Sequence, residues 1–380
     1  MTKGVYADNA ATTKISTVAL QAMQKCAEEY YGNPSSLHSL GVKAKRVREE
    51  ARERIAAVIG AKKMEIFFTS GGTESDNWAL QGRAFCYPSG KKHLVTSQIE
   101  HHAILKTAKF LQELGYEVSY LPVDDKGHVE PTALEHAITT DTILASVMLA
   151  NNEIGTIEPI RELAYIAHKH HVPFHTDAVQ AVGHIPLSVD NLGVDMLSAS
   201  AHKFHGPRGI GFLYVREGTP LMPLHHGGSQ EYGLRAGTEN LPAIMGMTVA
   251  LEESCKQMDY TKEYLTGLEQ IILKGLRKNN IDYRLNGGQE RLPGLLSLSF
   301  RGQEGERILH RLDLAGISVS TGSACNSHRT EVSHVLKAIS LDAAYAKGTI
   351  RISLSRDNDT EAAKKILAAL LSDAGRFWGQ

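Results

Sequence analysis

From residue 65 to residue 215 the sequence switches repeatedly between short apolar runs and longer amphipathic ones. Glu65–Thr69 reads as a strand and 73–85 as a helix. The pairs 93–97 with 102–114, 117–121 with 131–138 and 143–149 with 160–170 repeat the alternation, and Val172–Thr176 is strand again. Strand-length runs separated by helices of about 10–15 residues predict a parallel sheet with helices packed on it. Runs 195–200 and 210–215 close this region. Ahead of it stand a helix over 16–30, a Gly-Asn-Pro-Ser-Ser loop and a helix over 41–59. In the latter Ala44, Val47, Ala51, Ile55, Val58 and Ile59 share one face, and Gly60 stops it.

After helices at 241–257 and 260–279 the texture changes. Runs 295–300, 317–320 and 348–354 mix with helices 304–314, 331–338 and 360–372, as in a smaller α+β unit. A chain of 380 residues exceeds the size at which one core stops growing. The expected division is a large domain over 16–252 and a small domain built from 1–15 and 253–380. A net charge of −1 offers nothing to a nucleic-acid backbone. The first residues lack the apolar run of a signal peptide and no stretch is long enough to span a bilayer, so the expectation is cytoplasmic, with no membrane partner.

The chemistry centres on Asp195–Gly209, where the strand-like run Met196–Ala199 delivers Lys203 between Ser-Ala-His and a Gly-Pro turn. A lysine partly withdrawn from water has its ammonium disfavoured, which frees the amine for Schiff-base chemistry. The plain alternative is a strand-end lysine that snorkels to the surface. Ser70-Gly71-Gly72-Thr73-Glu74-Ser75 joins a strand to a helix, so backbone N–H groups and the helix N-terminus could hold an anion there. Glu74 and Asp76 argue against a phosphate unless they point away. His101 and His102 follow strand 93–97, at the sheet end where open α/β folds bind ligands. Asp177, with Gln180 one turn on, closes strand 172–176 in the same position. There it is either a helix N-cap or a buried carboxylate that needs a cationic partner, which a pyridinium nitrogen would supply. His168, His170 and His171 sit at a helix end as a solvated, non-metal cluster.

Four cysteines, at 26, 86, 255 and 325, are far apart and read as reduced thiols. Three fall in helical segments. Cys325 lies in Ser320-Thr321-Gly322-Ser323-Ala324-Cys325-Asn326-Ser327, too small and polar for core, and His328 and Arg329 would raise its thiolate fraction.

Nine motifs, in order, resemble the group I cysteine desulfurases, pyridoxal-phosphate enzymes of the class V aminotransferase superfamily. They are Tyr6–Thr13, Gly32–Ser36, Thr69–Asn77, Glu100–Ala103, Asn151–Gly155, His175–Gln180, Ser200–Lys203, Arg235–Thr238 and Thr321–Cys325. The resemblance implies fold type I, with a large, mainly parallel sheet domain and a smaller α+β C-terminal domain. It also implies a homodimer and conversion of L-cysteine to L-alanine with a persulfide on Cys325. It puts the coenzyme on Lys203, His101 over the ring, Asp177 at the ring nitrogen, Gln180 at the ring hydroxyl and Asn151 beside the ring. Phosphate contacts fall to Gly72, Thr73, Ser200 and His202, with Thr238 reaching across from the other subunit. Arg351, helped by Asn33, would grip the substrate carboxylate. His101 is the expected acid–base group for the substrate thiol.

The implied sulfur recipients are an iron–sulfur scaffold or another acceptor protein, including carriers for thio-cofactors and tRNA thiolation. No resident metal is expected, and Cys325 is a candidate transient cluster ligand with a partner. Ser355 departs from the family pattern, standing where glycine is common, and Asn326–Arg329 is more polar and basic than usual. Two rivals remain: an aminotransferase or selenocysteine/cysteine lyase on the same scaffold, and a non-catalytic iron–sulfur assembly scaffold.

Overall fold

The computed structural model describes residues 4–87, 90–321 and 332–377, with side chains of the last helix described as far as Ser372. Its strands, in chain order, are β1 (Val5–Tyr6), β2 (Ile66–Thr69), β3 (His93–Ser97), β4 (Glu117–Leu121), β5 (Thr142–Ser146) and β6 (Phe174–Asp177). They continue with β7 (Met196–Ser200), β8 (Gly211–Val215), β9 (Tyr283–Asn286), β10 (Leu295–Phe300), β11 (Ile317–Ser318) and β12 (Thr349–Ser353).

Seven of them form one sheet in the order β2-β8-β7-β6-β5-β3-β4. The run from β7 through β6, β5 and β3 to β4 is parallel, and β8 is antiparallel to both its neighbours. The expected fold class, α/β with a mainly parallel sheet, is therefore the one observed. The inner strands are buried along their whole length, as in sheets covered on both faces. Every residue of β3, β5, β6, β7 and β8 is buried, whereas the edge strand β4 is largely half-exposed.

Helix starts and stops follow local chemistry. Ser16 caps the helix Thr17–Glu29 by accepting from the Ala19 N–H, and the helix Ser39–Ile59 ends at Gly60, where φ is +71°. The predicted strand 143–149 is observed as Thr142–Ser146, and beyond it the Val147 and Leu149 N–H groups still donate to the His175 and Asp177 carbonyls of β6. Helix 331–338 is described only as His334–Ala338.

A second sheet, β12-β10-β9, is antiparallel, and β1 pairs in parallel with β11. Around it Ala7, Leu265, Ile272, Leu276, Leu298, Ile317, Ile350, Ile352, Ala363 and Ile366 make a separate buried cluster. The N-terminal segment is stitched into this unit: the Asn9 side chain donates to the Ser353 carbonyl at 2.9 Å, and the Ser353 N–H donates to the Ala7 carbonyl at 2.8 Å. Among the described residues no helix is long and apolar enough to cross a membrane.

One buried ion pair joins the large unit's first layer to a later loop. Arg52, almost fully buried, donates from both terminal nitrogens to Glu231 at 2.6 and 2.7 Å, and Glu231 also accepts from the Phe68 N–H at 2.8 Å. Removing one partner of such a pair strands the other charge in the interior. Arg52→Leu should cost about 3–5 kcal/mol of stability, read as a lowered urea midpoint with an unchanged slope.

Candidate functional site

The carboxyl ends of β3, β6 and β7 converge on a cavity of about 310 Å³, to which β12 contributes one side chain. Its wall includes Gly72, Thr73, His101, Asp177, Gln180, Ser200, His202, Lys203 and Arg351. Nine predicted site residues thus share one chamber. Lys203 ends a short 3-10 turn directly after β7. Its Nζ donates to the carbonyls of Ala10 at 2.6 Å and Ala11 at 2.9 Å, and Gln180 Nε2 donates to the same Ala10 carbonyl at 2.9 Å. The N-terminal segment is thereby part of the lysine's setting.

At one end, the strand β2 gives way to the helix Gly72–Ala84. Gly71 adopts φ +146°, and a Cβ on Gly72 would lie 2.5 Å from Val179 Cγ2, so the turn tolerates no side chain there. Of the two acids that argued against an anion, Glu74 points elsewhere. Glu74 accepts from the Ser70 N–H at 2.8 Å and from Arg235 at 2.8 and 3.1 Å. Burial pushes its carboxyl up, but Arg235 and Ser70 bring it below the usual range. Asp76 faces inward instead, fully buried, its Oδ1 without a hydrogen bond among the described residues and 3.8 Å from His175 Nε2.

The floor is acidic. Asp177 accepts from the Val179 N–H at 2.9 Å, and burial pushes its carboxyl up to about 6 against the pull of that N–H and of Lys203. Burial and the Asp177 charge hold Asp76 well above the usual range. Glu100 accepts from Ser97 Oγ at 2.6 Å and the Met148 N–H at 2.9 Å, and burial takes it to about 8. Ligand atoms of Asp76, His101 and Asp177 lie within 4.8 Å of one another. His101 caps the helix His102–Glu113 by accepting from the Ala103 N–H on Nδ1, which fixes its proton on Nε2. Burial, then the Lys203 charge, lowers it to about 4, so the ring is neutral near pH 7. His202 is lowered to about 4 in the same way and bonds Thr12 Oγ1 at 3.2 Å.

Three predicted residues do not line this chamber. Asn151 is fully buried behind it, donating to the Ile99 carbonyl and accepting from the Glu153 and Ile154 N–H groups, so its amide organises the wall, and Asn152 is the neighbour that reaches the surface of the cavity. Asn33 is exposed and accepts from the Ser35 N–H. Thr238 lines a separate, open hollow with His225, His226 and Arg235. Cys325, His328 and Arg329 lie outside the described residues. The ends of their segment do not: Ser320 exchanges main-chain hydrogen bonds with Arg351, Ser333 donates to Glu153 at 2.5 Å, and His334 Nε2 bonds the Glu100 carbonyl at 3.0 Å. Sequence reasoning missed Glu100, Glu153 and His334 as wall residues. Glu100 and Glu153 stood inside quoted motifs, but only folding shows them buried.

Residues 5–366 match the family described as Aminotransferase class-V. The chain belongs to that family. A cysteine desulfurase IscS of Dictyoglomus turgidum is 53% identical over 93% of this chain and 90% of the relative, and one from Methanosarcina thermophila is 46% identical over 96% and 90%. A solved NifS-like protein superposes with a TM-score of 0.92 at 40% identity, covering 98% and 99% of the two chains. A structure described as SspA in complex with cysteine gives 0.83 at 38% identity over 92% and 99%. The family works with pyridoxal phosphate, and the residues fit that group. An aspartate raised by burial suits a cationic ring nitrogen, and the glycine turn at a helix N-terminus suits a phosphate.

Glu100 supplies a test of these electrostatics. Its folded pKa, about 8, exceeds the ordinary carboxylate value, so the fold keeps a proton that the unfolded chain releases, and stability is lost as pH rises between the two values. Glu100→Gln keeps the acceptor oxygen and removes that loss. Relative to the parent, the coenzyme-free variant should gain up to about 1.4 kcal/mol per pH unit between pH 5 and 8, measured by urea melts at both ends.

Proposed function

We propose that the chain is a cysteine desulfurase that takes sulfur from L-cysteine, releases L-alanine and carries the sulfur as a persulfide on Cys325. The observation that carries this reading is the single chamber that joins Lys203, Asp177, His101 and Arg351 at the carboxyl end of the parallel strands.

Lys203 would hold the coenzyme covalently, with Asp177 at its ring nitrogen, Gln180 at its hydroxyl and His101 against its ring. Gly72, Thr73, Ser200 and His202 would hold its phosphate. When bound, pyridoxal phosphate supplies an electron sink for negative charge at the amino acid's α-carbon. Arg351 binds the substrate carboxylate and so sets the amino acid's orientation. The Lys203 amine removes the α-proton at Nζ, which the Ala10 and Ala11 carbonyls hold in place. His101, neutral with its proton on Nε2, exchanges a proton with the substrate thiol. The Cys325 thiolate attacks the substrate sulfur, the carbon–sulfur bond breaks, and a sulfur–sulfur bond forms. The three-carbon product takes up protons and leaves as alanine. Cysteine plus enzyme thiol thus balances against alanine plus enzyme persulfide.

Two features support the placing of Cys325. Thr321 is the last described residue before it, and four residues reach at most about 14 Å. Ser320, just before Thr321, is laddered to Arg351 in the chamber wall. We place the protein as a homodimer in which Thr238 of the partner subunit completes the phosphate site. The open hollow lined by Thr238, which Lys203 does not line, supports this arrangement. The persulfide then passes to an acceptor protein of iron–sulfur assembly or of another sulfur-transfer route.

Lys203→Ala should lose the visible chromophore and all turnover. Cys325→Ser should keep the chromophore and lose at least 99% of sulfide release from L-cysteine. In the parent, mass spectrometry after incubation with L-cysteine should find one added sulfur on the peptide containing Cys325. A serine variant with the parent's rate would leave an aminotransferase or lyase as the reading.

A further inference from the structure

Arg351 is not waiting alone for a carboxylate. Its side chain is 4% exposed. Nη2 donates to Asp8 Oδ1 at 2.9 Å, Nη1 donates to the Asn152 carbonyl at 2.8 Å, and Nε is buried with no hydrogen-bond partner among the described residues. A buried, unpartnered guanidinium N–H is a donor kept for something else. Asp8 is the third residue of the Tyr6–Thr13 motif. Its carbonyl accepts from the Tyr6 hydroxyl and the Ala11 N–H, while among the described residues its carboxylate bonds only Arg351. A second acid, Glu153, stands within electrostatic reach of Arg351. Burial pushes Glu153 up to about 7 against Ser333 and Arg351, and Asp8 is the acid in direct hydrogen-bond contact with the guanidinium.

We propose that Asp8 is a specificity-determining residue: by neutralising the Arg351 guanidinium it leaves one buried Nε–H donor edge and no surplus positive charge, and so admits amino acids with a neutral side chain and rejects those with a second carboxylate. This rests on the reading of Arg351 as the substrate-carboxylate anchor. The physical basis is a charge count. Arg351 with Asp8 is a neutral pair, and one substrate carboxylate uses the remaining Nε edge. A side-chain carboxylate in the same chamber would find the Arg351 charge already matched by Asp8 and only neutral imidazoles at His101 and His202. The thiol of cysteine brings no charge that needs matching.

The test uses the coenzyme-loaded protein and two ligands that lack an α-hydrogen and therefore bind without reacting, 2-aminoisobutyrate and 2-methylaspartate. Dissociation constants come from equilibrium titration of the visible spectrum. Asp8→Asn keeps an acceptor for Nη2 and removes the charge. It should tighten 2-methylaspartate about tenfold relative to 2-aminoisobutyrate, the effect of removing one negative charge from a partly buried site. Asp8→Ser should move the ratio in the same direction. A ratio unchanged within twofold in both variants overturns the proposal and makes Asp8 a clamp between the N-terminal segment and β12. Arg351→Ala tests the underlying reading separately: it should weaken both ligands at least tenfold. Undiminished binding of both would show that the anchor itself is misassigned.

Discussion

Negative charge buried without enough positive charge is the constraint around which this structure is arranged. Asp76, Glu100 and Asp177 lie under one cavity where three parallel strands and a helix N-terminus meet, and Lys203 is the cation set against them. Three ionised carboxylates could not persist there, because each would lack solvent and two would lack a partner. The structure resolves this by sorting them. Glu100 is raised to about 8, Asp76 is raised well above its usual range by burial and its neighbour Asp177, and Asp177 is left as the group that can share charge with Lys203. Imidazoles at His101, His175 and His202 are held neutral, so none competes for that role. A chamber with one available anion and one amine is complementary to a cationic heterocycle that joins the amine and lays its nitrogen on the anion.

The same sorting explains the scaffold around it. Ser146 and Ser198 bond the two nitrogens of His175 at 2.9 and 3.0 Å, which satisfies a polar ring inside the sheet without charging it. The N-terminal segment crosses from the second sheet to present the Ala10 and Ala11 carbonyls to Lys203 and Asp8 to Arg351. A short piece of chain therefore couples both ends of the chamber. Its position depends on the Ser353 and Ala7 ladder as much as on anything in the large sheet.

Much of this was legible in the sequence because apolar strands buried on both faces read as continuous runs, and the amphipathic helices between them show a 3.6-residue period. The strand carrying Lys203 and the glycine turn before Thr73 were readable for that reason. Pairing was not. Nothing local says that β8 runs antiparallel, or that Tyr283–Asn286, a short strand with an arginine in it, joins β10. Side-chain direction was also hidden: Glu74 turns toward Arg235, a partner 161 residues away, and Asn151 spends its amide on main-chain groups. The burial that sorts the acids is a property of packed layers, invisible in any one motif.

The thiols follow the same physics from the other side. Burial raises Cys26 and Cys255 to about 11, so neither supplies thiolate near pH 7, and Cys86 donates its S–H to the Gly82 carbonyl within its own helix turn. A nucleophilic sulfur placed on the acidic floor would fare worse, since its thiolate would join carboxyls that already exceed the local cations. Sulfur capture by this chain therefore has to be delegated to a thiol that is brought to the chamber from outside the packed layers. The attachment of Ser320 to Arg351 and of Ser333 to Glu153 fixes where the described chain leaves and rejoins the wall. Separation of the proton-handling groups from the sulfur acceptor is thus imposed by electrostatics: the environment that makes Asp177 and Lys203 useful would silence a thiolate.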